Sequence, residues 1–165
     1  MRMMWAIATA AITLSGCATV PAQRFEVQSS RYYSKPYDDA WAALVRHFAV
    51  NQIGIRTIEK DSGLIVADSE VNSGSPGAAT SDRTLAQGRI QDLADCGKDP
   101  TTLPYGYVIR LNVLARPELG GTLVTVNAQY RLLAASPNLF GPPTLLQRTC
   151  NSTGVLERAI LDAVG

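Results

Sequence analysis

Two stretches of the chain, Tyr107–Ala115 (YVIRLNVLA) and Thr122–Leu133 (TLVTVNAQYRLL), carry apolar and β-branched residues at a period of two. They stand either side of Pro117-Glu118-Leu119-Gly120-Gly121, so the segment predicts a β-hairpin with Val124, Val126, Ala128 and Tyr130 on one face. Ile55–Lys60 and Leu64–Ser69, joined by Asp61-Ser62-Gly63, predict a second, shorter one. Strands joined this locally need no crossover helix, which points to an antiparallel sheet and away from parallel α/β architectures.

Two helices complete the pattern. Ser34-Lys35-Pro36 is a start signal, with Pro36 in the first turn and Asp38-Asp39 where the helix dipole favours negative charge. Tyr37, Trp41, Leu44, Val45 and Phe48 then share one apolar face before Gly54, predicting a helix over about residues 36–51. At the other end, Ser152 or Thr153 is the expected cap of a helix with Leu156, Ala159, Ile160, Ala163 and Val164 on one side. Phe25–Tyr33 and Thr144–Cys150 predict single strands, and residues 71–82, rich in Gly and Ser, a mobile loop. Residues 83–95 fit a helix face or a strand equally well. The fold class expected is α+β, an antiparallel sheet with two helices packed on one face, burying Trp41 and Phe48.

Composition narrows the function. A 46% hydrophobic fraction supplies a core. Fifteen bases against fourteen acids give no field for nucleic acid. With three Cys and one His, a zinc site of Cys and His is out of reach, and no metal or cofactor is expected.

Residues 1–16, MRMMWAIATAAITLSG, follow a different logic. Arg2 and the terminal amine precede an apolar stretch from Met3 to Leu14, shorter than the roughly 20 residues a bilayer span needs but of secretory h-region size. The stretch ends in Leu14-Ser15-Gly16-Cys17, which resembles the lipobox of bacterial lipoproteins. That resemblance implies removal of residues 1–16 as a signal peptide and acyl chains on Cys17, the only prosthetic group expected. Ala18, where inner-membrane retention would have aspartate, implies an outer-membrane location facing the periplasm. Residues 17–24 would form a lipidated tether reaching at most about 25 Å beyond Cys17, and residues 25–165 a single periplasmic domain. Without Arg2 the remaining chain holds fourteen bases and fourteen acids.

Once Cys17 is assigned to lipid, Cys96 and Cys150 are left, and an exported pair reads most simply as a disulfide, with two buried thiols as the alternative. From Pro36 to Asp68, the helix, the Gly and the Asp-Ser-Gly turn between strands also resemble repeats in the C component of the outer-membrane β-barrel assembly machine and related envelope lipoproteins.

Catalytic readings are thin. His47 sits at the edge of the apolar stripe and reads as a boundary residue; Ser62 with Asp38 or Asp39 could join it only on paper, since no nucleophile-elbow motif surrounds any serine. Asp38-Asp39 and Glu59/Asp61 fit helix-start and turn preferences as well as acid–base chemistry. Asn151-Ser152-Thr153 matches a glycosylation sequon beside a helix cap, and Gly74-Ser75-Pro76-Gly77 lacks a phosphate loop's lysine. Leu139-Phe140, framed by Pro and Gly, is a candidate partner anchor if exposed and ordinary core if folded in. The expected function is a non-enzymatic, membrane-anchored domain that binds another envelope protein. The alternatives are a module for a small ligand, lipid or peptidoglycan fragment, and a periplasmic hydrolase.

Overall fold

The long hairpin organises everything else. In the computed structural model, which describes residues 18–72, 84–85, 88–138 and 141–165, the elements run β1 (Ser30–Tyr33), α1 (Tyr37–Val50), β2 (Ile55–Glu59), β3 (Leu64–Asn72), β4 (Thr84–Leu85), β5 (Gly88–Arg89), α2 (Ile90–Leu93), β6 (Ala94–Asp95), β7 (Leu103–Glu118), β8 (Gly121–Ser136), β9 (Thr144–Ser152) and α3 (Val155–Asp162). β7 and β8 pair from Leu103↔Ala135 to Glu118↔Gly121, which leaves only Leu119-Gly120 as the turn. The strands outrun the expected Tyr107–Ala115 and Thr122–Leu133, and Pro117 and Gly121 belong to the ladder. Pro117 sits in its last rungs, and Gly121 brings the chain so near β1 that a Cβ there would stand 2.1 Å from the Tyr33 carbonyl oxygen.

The sheet is antiparallel, in the order β2-β3-β7-β8-β9-β6, and β1 is its seventh strand. β8 divides one edge between two strands: Thr122–Thr125 pair with β1 and Tyr130–Ser136 with β9. This explains why the first strand begins at Ser30 and not at Phe25. The Val126 N–H still donates to the Ser29 carbonyl at 2.7 Å, but from Tyr130 onward that edge of β8 belongs to β9. Residues 24–28 therefore leave the ladder and cross over the end of β9, where Phe25 and Val27 line a groove with Cys150 and Ser152. The chain is an α+β fold.

One face of the sheet is apolar by strand alternation. Ile65 and Ala67 of β3, Ile109, Leu111, Val113 and Ala115 of β7, and Val124, Val126 and Tyr130 of β8 are buried and in register with one another. α1 lays Ala40, Trp41, Leu44 and Phe48 into the same cluster, and α3 adds Leu156, Ile160, Leu161 and Val164. Burying side chains of this kind contributes about 1.5–3 kcal/mol each before chain entropy is set against it. The described part of residues 83–95, ambiguous in sequence, forms the short ribbon β4–β5, the single turn α2 that buries Ile90 and Leu93, and β6. Most of the expected 71–82 loop lies outside the described residues; Val71 and Asn72 still pair with β7.

Side chains close the ends. Thr122 is buried, and its hydroxyl donates to the Lys35 carbonyl at 2.9 Å. Lys35 Nζ in turn donates to the Val164 and Gly165 carbonyls at 2.6 and 2.7 Å, satisfying orphan acceptors at the end of α3. The start of α3 departs from the cap expected. Gly154 occupies that position at φ 82° without a side-chain cap. Ser152 acts from two residues further back: its Oγ accepts the Gly154 N–H at 3.0 Å and donates to Glu157 Oε2 at 2.9 Å. Glu157 is thereby buried with a partner.

Candidate functional site

A cluster of long-range polar contacts lies where the N-terminal residues meet β6, the following loop and β9. Sγ of Cys96 and Cys150 are 1.98 Å apart, at disulfide distance. Beside them, the Asp95 carboxylate accepts the backbone N–H of Gly97 at 2.8 Å and of Gln23 at 2.9 Å. Those two N–H groups, helped by the nearby Lys98 charge, hold the Asp95 carboxyl below its ordinary pKa against a smaller opposing effect of burial. Asp99 is held down chiefly by the Thr101 hydroxyl and N–H, and it also pairs with Arg148 at 2.8 Å.

Residues 18–24 do not hang free. Val20 exchanges both backbone hydrogen bonds with Lys98, each 2.8 Å. Asn151 Nδ2 donates to the Ala22 carbonyl at 3.2 Å and to that of Gln23 at 2.9 Å. Gly97, at φ 67°, packs so closely beneath this strap that a Cβ would lie 2.4 Å from the Val20 oxygen. An open groove of about 580 Å³ runs between Thr19–Ala22 and Cys96, Lys98, Asp99 and Arg148.

No family model, curated protein or solved structure matches this chain.

The residues weighed for catalysis are dispersed. Ser62 Oγ lies 3.2 Å from Glu59 Oε2, and Asp38 pairs with Lys60 at 2.8 Å, both around the β2–β3 turn. His47 is nine residues along α1 from Asp38, about 14 Å by helix rise. Its Nδ1 faces Asn51 Nδ2 at 3.3 Å, while its Nε2 is buried without a hydrogen-bond partner, and burial lowers its pKa. The structure thus places His47 at the boundary of the core and brings neither Ser62 nor Asp38 to it. Among the described residues no group of three or more Asp, Glu, Cys or His could hold a metal ion, and no helix is long and apolar enough to cross a membrane.

Two further groups are engaged within the fold. Burial, and then the Glu157 charge, push the Tyr130 hydroxyl well above the usual phenol range. It lies beside Ser152 and Glu157, which are bonded to each other. The Asn151-Ser152-Thr153 sequon is wholly engaged: Asn151 holds the strap, Ser152 holds α3, and Thr153 Oγ1 donates to the Asp92 carbonyl at 2.6 Å. Cys17, Leu139 and Phe140 lie outside the described residues. At the open end of the β7–β8 hairpin, Leu103 of β7 and Leu145 of β9 flank Ala135 in one cross-strand row and are exposed by 41% and 63%. Sequence reasoning missed the strap. Among the described residues its side-chain hydrogen bonds come from Asp95 and Asn151, two ordinary polar residues whose partners are backbone groups 72 and about 129 positions away.

Proposed function

We propose that this chain is a lipid-anchored protein of the bacterial outer membrane, acylated at Cys17 and facing the periplasm, whose domain binds another envelope protein and performs no catalysis. One observation carries the reading beyond the lipobox: the residues just after Cys17 are hydrogen-bonded into the body of the domain at Lys98, Asp95 and Asn151. A free leader would have no use for such seating, whereas an anchor point has. The Cys96–Cys150 pair at that seat suits an oxidising compartment.

Protein binding is favoured over an interior ligand by the packing. The cavity between helices and sheet, lined by Ile53, Ala67, Ile109, Leu111 and Leu156, has a volume of about 20 Å³, room for a single water. The exposed row of Leu103 and Leu145 offers instead an apolar surface for a protein partner. Replacing Cys17→Ser is expected to move the protein from the membrane fraction to the soluble one, measured by fractionation and immunodetection. Unchanged fractionation overturns the anchor.

A further inference from the structure

The strap fixes more than attachment. Among the described residues Val20 is the first seated on the domain, through its paired bonds to Lys98, and it lies three positions from Cys17. Fully extended, three such steps span about 10 Å. A lipid on Cys17 therefore cannot lie far from Lys98, whatever path the intervening residues take. The tether read from the sequence as seven residues and about 25 Å is cut by more than half.

Lys98 lies at one end of a long object. A groove lined by Cys96, Lys98 and Arg148 also takes in Tyr107 of β7 and Leu132 of β8, near the open end of the hairpin. The hairpin turn, with Leu119 fully exposed, is at the other. Tyr107 and Glu118 are eleven positions apart, about 37 Å of strand. The Lys60–Asp38 ion pair sits toward the turn, in an open cleft lined by Ala115, Arg116 and Pro117.

We propose that the corner built from residues 18–22, 96–99 and 148–149 is the surface that rests on the phospholipid headgroups, and that the β7–β8 turn points away from the bilayer. The occupant is the membrane that holds the Cys17 acyl chains, so the inference rests on the lipid-anchor reading. Arg148 is neutralised by Asp99, so the contact is set by the short leash and not by a cationic patch.

Lysine footprinting tests it. The processed, full-length acylated protein is reconstituted on phosphatidylethanolamine–phosphatidylglycerol vesicles and treated with an amine-acylating reagent. Rates at Lys98 and Lys60 are compared with a variant carrying about ten Gly/Ser residues between Cys17 and Ala18, whose coil adds about 17 Å of leash. Both proteins should sediment with the vesicles. Lys98 should react several-fold more slowly in the natural chain than in the variant, while Lys60 reacts equally in both. Equal Lys98 rates in two sedimenting proteins overturn the orientation and leave the anchor standing. Failure of the natural chain to sediment overturns the anchor, and the orientation with it.

Discussion

Gly63 closes the β2–β3 turn at φ 70°, and a Cβ there would stand 1.8 Å from the Ala115 carbonyl oxygen. The same contact carries the Ala115 N–H donating to the Gly63 carbonyl at 2.9 Å, so the neighbour is backbone and cannot give way. Gly63→Ala should therefore cost more than the about 1–2 kcal/mol of a left-handed residue. In a domain of this size each kcal/mol lowers Tm by about 2–4 °C, and thermal unfolding should show a fall of at least that order. Gly120 is the contrast: its φ is 78°, but a Cβ would meet nothing closer than the Tyr32 hydroxyl at 3.6 Å. Gly120→Asn should cost well under 1 kcal/mol, since Asn tolerates this region. Both glycines look alike in sequence, as turn residues; the pairing of β3 with β7 makes one of them indispensable. His47, the only histidine, gives a pH prediction. Its folded pKa lies below the ordinary value because burial disfavours the charged ring. The unfolded chain thus binds the proton more readily. Stability is full above about pH 6.5 and declines as pH falls from there toward the depressed value. Urea midpoints should drop between about pH 7.5 and 5.5, and His47→Gln should flatten that drop.

Among the elements, α1 was legible because five apolar residues recur on one face and Pro36 and Gly54 bracket them; the structure has it from Tyr37 to Val50. The β2–β3 and β7–β8 hairpins were legible for the corresponding reason, alternation flanking turn residues. Residues 83–95 were not, because two-residue strands and a one-turn helix are shorter than any period they could display. The strap was not, because it is held through carbonyls and N–H groups that every residue possesses. The Cys96–Cys150 pair fastens this region to β9, closing a loop across 54 positions. A cross-link of that length stabilises by about 4 kcal/mol in the chain-entropy account. The Cys96→Ser/Cys150→Ser double variant should lose stability of that order in chemical denaturation under oxidising conditions. An unchanged midpoint would show that the pair is reduced in the native protein.

At the scale of the molecule, sequence gave the class and the layers, and missed the way β8 divides one edge between β1 and β9. That division joins Ser30 to Thr125 and Arg131 to Thr149 along one strand edge, so the sheet is completed by pairings both near and far in the chain. It has a consequence in time. Closing distant pairs is slow compared with forming local hairpins, and a chain that leaves its channel N-terminus first presents residues 18–33 well before Asn151 or Thr125 exists outside. During that interval the strap has no seat on the domain, which under the proposed lipid-anchor reading is when Cys17 would be acylated. Docking of the strap then comes among the last events of folding, after Asn151 has emerged.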